Sequence, residues 1–297
     1  MRRSYVATAL KRARRWSALP VGPAVTLLAI ALGTILVPML ARQDPLAIGD
    51  VLARRLLPPL ATGPDGSFHL LGTDRFGRDV FVRAMLGGRL SLAVGVVGSL
   101  LAGLVGTMIG AIAAWRGGVA DRLAMGLTDV LLSLPRLILL LVCAALWAPG
   151  TTTVVVVLIA TGWMGVSRLV RAEVLGLRGR AYVEAAVALG SGEWRVLMRH
   201  ALPNALAPAV VATTLGVGNA ILLESGLSFL GLGVQPPAPS WGNMIAGGRE
   251  VIVTAPWVSL APGLLLVITV VACTLLGDWL QGRMAPGAER VAVRDRS

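Results

Sequence analysis

Charge is scarce in this 297-residue sequence, where Asp, Glu, Lys and Arg together make up 14%, roughly half of what a soluble domain carries. With 56% hydrophobic residues, the chain has too little polar surface to fold alone in water. Its long uncharged stretches read as membrane spans, so the expected class is an all-α, polytopic membrane protein. Lysine is nearly absent. Lys11 is the only one, and Leu10 precedes it, so no G-x-x-x-x-G-K-[ST] phosphate loop can exist. Cys143 and Cys273 both lie in apolar runs without metal-ligand spacing and read as small buried hydrophobes. His69 and His200 stand too far apart for a metal cluster, and no H-E-x-x-H favours an intramembrane enzyme. Neither a metal nor a cofactor is expected on this chain. Aromatics amount to 5%, so the net charge of +12 lacks the companions of a nucleic-acid surface. The arginines sit between apolar runs, where they set topology.

What is present divides into spans and connections. Residues 1–19 form a basic tail, and 20–40 read as a retained first membrane helix: the run is too long for a signal peptide, and no A-x-A site follows. Residues 41–89 are polar enough to lie outside the bilayer. Within them Asp74, Gly77, Arg78 and Asp79 make a turn. Val80, Phe81, Ala84 and Met85 then share one helical face, which predicts an interfacial helix ahead of the second span. That span starts at Leu90, and its Gly98, Ala102, Gly106 and Gly110 leave one face nearly bare for close helix packing. A third helix over 123–146 carries Asp129 and Arg136, with Pro135 expected to kink it. A charge at the bilayer centre costs roughly 2.5–3.5 kcal/mol on insertion scales, so both residues need protein or water around them. Shorter spans follow at 151–166, from 203 to about 223, and at 258–276; Glu224 falls near the far interface, and Trp241 and Trp257 suit an interface as well.

Between the fourth and fifth spans lies the polar stretch 182–203, YVEAAVALGSGEWRVLMRHALP. Glu184 to Leu189 are strong helix formers that Gly190 is placed to end. A second helix is expected over 193–201, closed by Leu202-Pro203-Asn204 because proline disfavours helix in the residue before it. Two short helices joined at a glycine make a knob that a partner can grip. Eighteen Lys and Arg residues fall on segments that this topology puts in the cytoplasm, against eight outside, with Arg136 in the membrane. Seven of those eight lie in one long loop, so the bias places the knob and both termini inside.

Glu184-Ala185-Ala186, then Gly190, then Leu202-Pro203 resembles the EAA loop of ABC importer permeases. Arg199 to Asn204, Leu70 to Leu92 and Leu222 to Gly233 resemble the dipeptide, oligopeptide and nickel branch, although His200 stands where the family commonly has an aliphatic residue. The resemblance implies a six-helix permease of the type I importer fold, with a core over 90–280, a coupling loop over about 171–203 and a short tail over 281–297. It implies a second permease, two ABC ATPase subunits that use the ATP, an extracytoplasmic substrate-binding protein and a place in the bacterial inner membrane. Glu184, Ala185, Ala186, Gly190, Leu202 and Pro203 would couple to the ATPases, while Asp129, Arg136 and Glu224 would be pathway or structural charges. The cargo would be di- or oligopeptides, with nickel chelates, glutathione or other small solutes as alternatives. An ion-coupled secondary transporter is the rival of a different class, with Asp129 and Glu224 its best arguments.

Overall fold

The computed structural model describes residues 20–41 and 51–284; the basic tail over 1–19, Arg42 and the end of the chain from 285 lie outside them. The described helices are α1 (Val21–Leu40), α2 (Val51–Arg54), α3 (Val80–Arg116), α4 (Gly118–Ser133), α5 (Arg136–Ala145) and α6 (Thr151–Arg178). They continue with α7 (Ala181–Ala188), α8 (Glu193–Val196), α9 (Leu202–Phe229), α10 (Trp241–Gly248) and α11 (Trp257–Met284). A two-residue antiparallel ladder, β1 (Ala61–Thr62) with β2 (Phe68–His69), sits between α2 and α3. Five helical stretches are long and apolar enough to cross a membrane: α1, α3, α6, the unbroken run Glu193–Phe229, and α11. The α4–α5 pair makes a sixth if its 95° bend is one broken span.

Helix α3 is the axis of the bundle and packs against α1, α6, α9 and α11. Its glycine stripe explains why. A Cβ on Gly106 or Gly110 would run into the backbone of Trp163 or Ser167 on α6, and Gly98 lies against Leu158. A second small-residue face meets α9: Gly95 abuts Ile221, Gly103 abuts Thr213, and the Ser99 hydroxyl donates to the Thr213 carbonyl at 2.8 Å. Lipid offers no hydrophobic drive between helices, so close backbone approach and an interhelical hydrogen bond supply the association.

Several boundaries differ from the expectation. The interfacial helix and the second span are one helix of 37 residues, begun by Asp79, whose carboxylate accepts from the Val82 amide at 2.9 Å. A good cap leaves no reason for a break at Leu90. Helix α4 starts at Gly118 and not at 123, and at Leu134-Pro135 the chain turns far more sharply than a proline kink. Helix α6 runs on to Arg178, so Arg168, Arg171 and Glu173 are helical and not linker. Helix α11 continues to Met284.

The largest departure concerns Pro203. It closes nothing: α8 passes through a π-helical turn, Leu197–Ala201, straight into α9, and the Leu202 amide donates to Leu197 one residue further back than an α-helix allows. A proline lacks the N–H for residue i−4 and crowds its carbonyl. The widened turn relieves that conflict just before Pro203, and the Asn204 side-chain amide donates to the His200 carbonyl at 2.7 Å. Trp241 is also misplaced by its residue type, because it is fully buried and its indole donates to the Ala84 carbonyl at 2.9 Å.

Candidate functional site

At the end of the bundle where α3 finishes, α7 and α8 form the knob. Helix α7 ends in a Schellman arrangement: the Gly190 amide donates to Val187 at 2.9 Å and the Ser191 amide to Ala186 at 3.1 Å. Gly190 has φ +83°, a conformation only glycine adopts without penalty. The knob is seated by alkyl packing. Val183, Val196, Leu197 and Ala201 are buried in one cluster with Trp115 of α3 and Val170, Val174 and Leu177 of α6. Burying each such Val or Leu is worth roughly 1.5–3 kcal/mol where the alternative is water. Arg178 adds a clamp, donating to the Ala114 carbonyl at 2.9 Å with its guanidinium 5.4 Å from the Trp115 ring.

The outer face of the knob is unusually apolar. Glu184 and Ala185 are exposed, and around them Val187, Leu189 (87% exposed), Trp194 (62%) and Met198 also face outward. Several large exposed hydrophobes on one short, otherwise polar segment suit an interaction surface. Glu184 forms no ion pair among the described residues. Two arginines of α6 pair with carboxylates of α4. Arg171 grips Asp121 of α4 through two bonds, 2.5 and 2.6 Å, and Arg168 pairs with Asp129. The fork-to-carboxylate geometry at Asp121 is the strong form of such a pair.

The three charges expected within the membrane, Asp129, Arg136 and Glu224, are not brought together. Asp129 is an exposed partner of Arg168, tying α4 to α6. Arg136 and Asp129 lie on the two arms of the 95° bend and not along one helix face. The Arg136 guanidinium reaches Gly162 of α6 and lines a small cavity of about 60 Å³ with Ser99 and Thr213. Its Nε is the one buried side-chain nitrogen or oxygen without a hydrogen-bond partner among the described residues. Glu224 is fully buried near the other end of α9. The Ser228 hydroxyl donates to Oε1 at 2.7 Å and the Ser225 hydroxyl to Oε2 at 3.3 Å, and Ser228 Oγ also accepts from the Val234 amide. Ser228 therefore links the exit of α9 to the segment that follows, with Glu224 holding its hydroxyl in place.

This architecture of glycine-packed spans and a side knob can be compared with known proteins. The family described as "Binding-protein-dependent transport system inner membrane component" matches residues 106–290. This chain belongs to that family. The permease is 48% identical over 223 residues, 74% of each chain, to a putative peptide permease protein of Brucella suis. It is 39% identical to the dipeptide transport system permease protein of Bacillus subtilis, over 80% of this chain and 73% of that one. To the probable D,D-dipeptide transport system permease protein of Escherichia coli it is 36% identical, over 92% and 89%. Its fold matches a chain of the MetNI methionine ABC transporter in an inward facing conformation, with TM-score 0.56, 20% identity, and 69% of this chain and 96% of that one covered. The permease is thus a multi-pass membrane protein with the type I importer fold.

Of the residues singled out from sequence, Glu184, Ala185, Ala186 and Gly190 come together on the knob, while Leu202 and Pro203 stand at the root of α9, past the π turn. Sequence reasoning missed the apolar rim of Leu189, Trp194 and Met198, whose signal was three large hydrophobes in a polar stretch. It missed Arg178 and Asp121 too, and neither carries a local signal, since their partners lie 64 and 50 residues away.

Proposed function

We propose that the permease is one of two such subunits of an ATP-driven importer of di- and oligopeptides, coupled through the knob to ATPase subunits on separate chains. The observation that carries this reading is the knob itself: a stiff, well-seated helix pair with an exposed apolar face around Glu184-Ala185. The peptide and dipeptide names of several relatives support the cargo. In this reading the knob and both termini lie in the cytoplasm, the binding protein docks on loops 41–89 and 231–256, and no cofactor sits on this chain. ATP binding draws the ATPases together, the paired knobs follow, and the spans rock between inward-open and outward-open states. A shift of that kind needs knob contacts that differ between the two states.

Of the charges once counted for an ion-coupled carrier, Asp129 has a partner in Arg168, which weakens that rival. The test is uptake of a labelled dipeptide into proteoliposomes holding both permeases and both ATPases. Uptake that needs ATP and persists with the proton gradient collapsed is the expected result. Uptake that stops with the gradient while ATP remains would overturn the proposal.

A further inference from the structure

The end of the bundle opposite the knob holds a cavity of about 410 Å³ between the 74–78 turn and the segment around 236–247. The turn is rigid. Asp74 Oδ1 accepts from the Phe76 and Arg78 amides at 2.8 and 3.0 Å, and Oδ2 accepts from Arg78 Nε at 2.8 Å and Nη2 at 2.7 Å. Two guanidiniums lie over the Phe76 ring, Arg75 at 4.9 Å and Arg78 at 4.6 Å from its centroid. Asp74 is thereby committed to the turn. Arg75 is held differently: its carboxylate, Glu250 at 2.5 Å, comes from the short turn that follows α10, with 38% and 68% of the two side chains exposed. Such a pair contributes little in water and is readily exchanged.

We infer that this cavity seats a surface loop of the extracytoplasmic binding protein, and that an acidic side chain on that loop takes Arg75 in place of Glu250. The inference rests on the reading of the permease as a binding-protein-dependent importer and adds the place and the chemistry of docking. Charge complementarity selects an acidic partner, since the cavity wall carries Arg75, Arg78 and Arg83 against the single carboxylate of Asp74. The apolar wall of Pro236, Pro237 and Met244 gives a protein loop contact area that a free inorganic anion cannot use. The turn needs no rearrangement to receive it, because Thr73, beside Asp74, is already bonded to Leu57 and Trp257.

The test is stimulation of ATP hydrolysis in the reconstituted four-subunit complex by titrated, substrate-loaded binding protein. Arg75→Glu raises the half-maximal concentration about tenfold or more while the maximal rate stands, and added salt weakens the wild type more than the variant. Glu250→Gln, which removes the internal competitor, lowers that concentration. A benzophenone carried on Arg75→Cys crosslinks to the binding protein and not to the ATPases. If the wild type responds but Arg75→Glu and Glu250→Gln titrate as it does, the inference falls and the importer reading survives. If both variants change unstimulated hydrolysis instead, Arg75 is a structural residue and the inference falls likewise. If no binding protein stimulates the wild type, both fall together.

Discussion

The two ends of the permease are held in opposite ways. At the knob, Val183, Val196, Leu197 and Ala201 pack against α3 and α6, and polar bonds are few beyond Arg178 to Ala114. At the other end, one carboxylate, Asp74, organises a turn that is also bonded to Leu57, to Trp257 and to the start of α3, with His69 Nδ1 2.7 Å from the capping Asp79. Leu56 and Leu60 are even held at positive φ there, 54° and 64°, a conformation that persists only where its surroundings over-determine it. Alkyl packing tolerates small slides; a hydrogen-bonded turn does not. The contrast is what an engine-facing end and a fixed docking end would need.

The greatest loss should come from the seam that joins the ends. Gly110→Leu drives a side chain into the Ser167 backbone of α6, and no folded complex should survive mild detergent in size-exclusion chromatography. Gly165→Ala, on the same α6 but with open space beside it, should behave as wild type. Next, Asp74→Ala strips the turn of its organiser and leaves Arg78 unpaired, costing about 3 kcal/mol; a lower melting temperature by tryptophan fluorescence reads this, with Trp257 close by as reporter. Gly190→Val forces a β-branched residue to φ +83° at a cost of about 1–2 kcal/mol. ATP hydrolysis should continue while uptake falls, and Gly190→Asn should be milder because asparagine tolerates that conformation. Glu184→Lys should leave the melting temperature nearly unchanged, since Glu184 has no ion pair to lose among the described residues, and yet uncouple hydrolysis from uptake. Normal uptake in both knob variants would erase the distinction between the ends.

Features ruled by local chemistry were legible in the sequence. The Gly98 to Gly110 stripe, the turn over 74–79 and the helix stop at Gly190 each follow from residue type and spacing, and the chain forms them as expected. What failed was local reasoning where distant packing decides. Pro203 looked like a terminator, but the π turn over Leu197–Ala201 absorbs it because Leu197 and Ala201 are anchored in the knob's core. Trp241 looked interfacial, and it is buried because Gly88 leaves a slot for its ring. The Asp121–Arg171 fork joins residues 50 apart, beyond the reach of any periodicity. Around the site, the motif residues were visible and their apolar rim was not.

The unbroken run Glu193–Phe229 makes the second half of the knob the foot of a spanning rod about 55 Å long. Such a rod is a lever with its short arm outside the bundle. One degree of tilt at the foot moves the far tip by about 1 Å, less what the loosened turn ahead of Pro203 and the interior Pro208 absorb. Since Ser228, held by Glu224, fastens the region near that tip to the chain beyond it, even a slight rocking of the foot would arrive at the opposite mouth as a displacement.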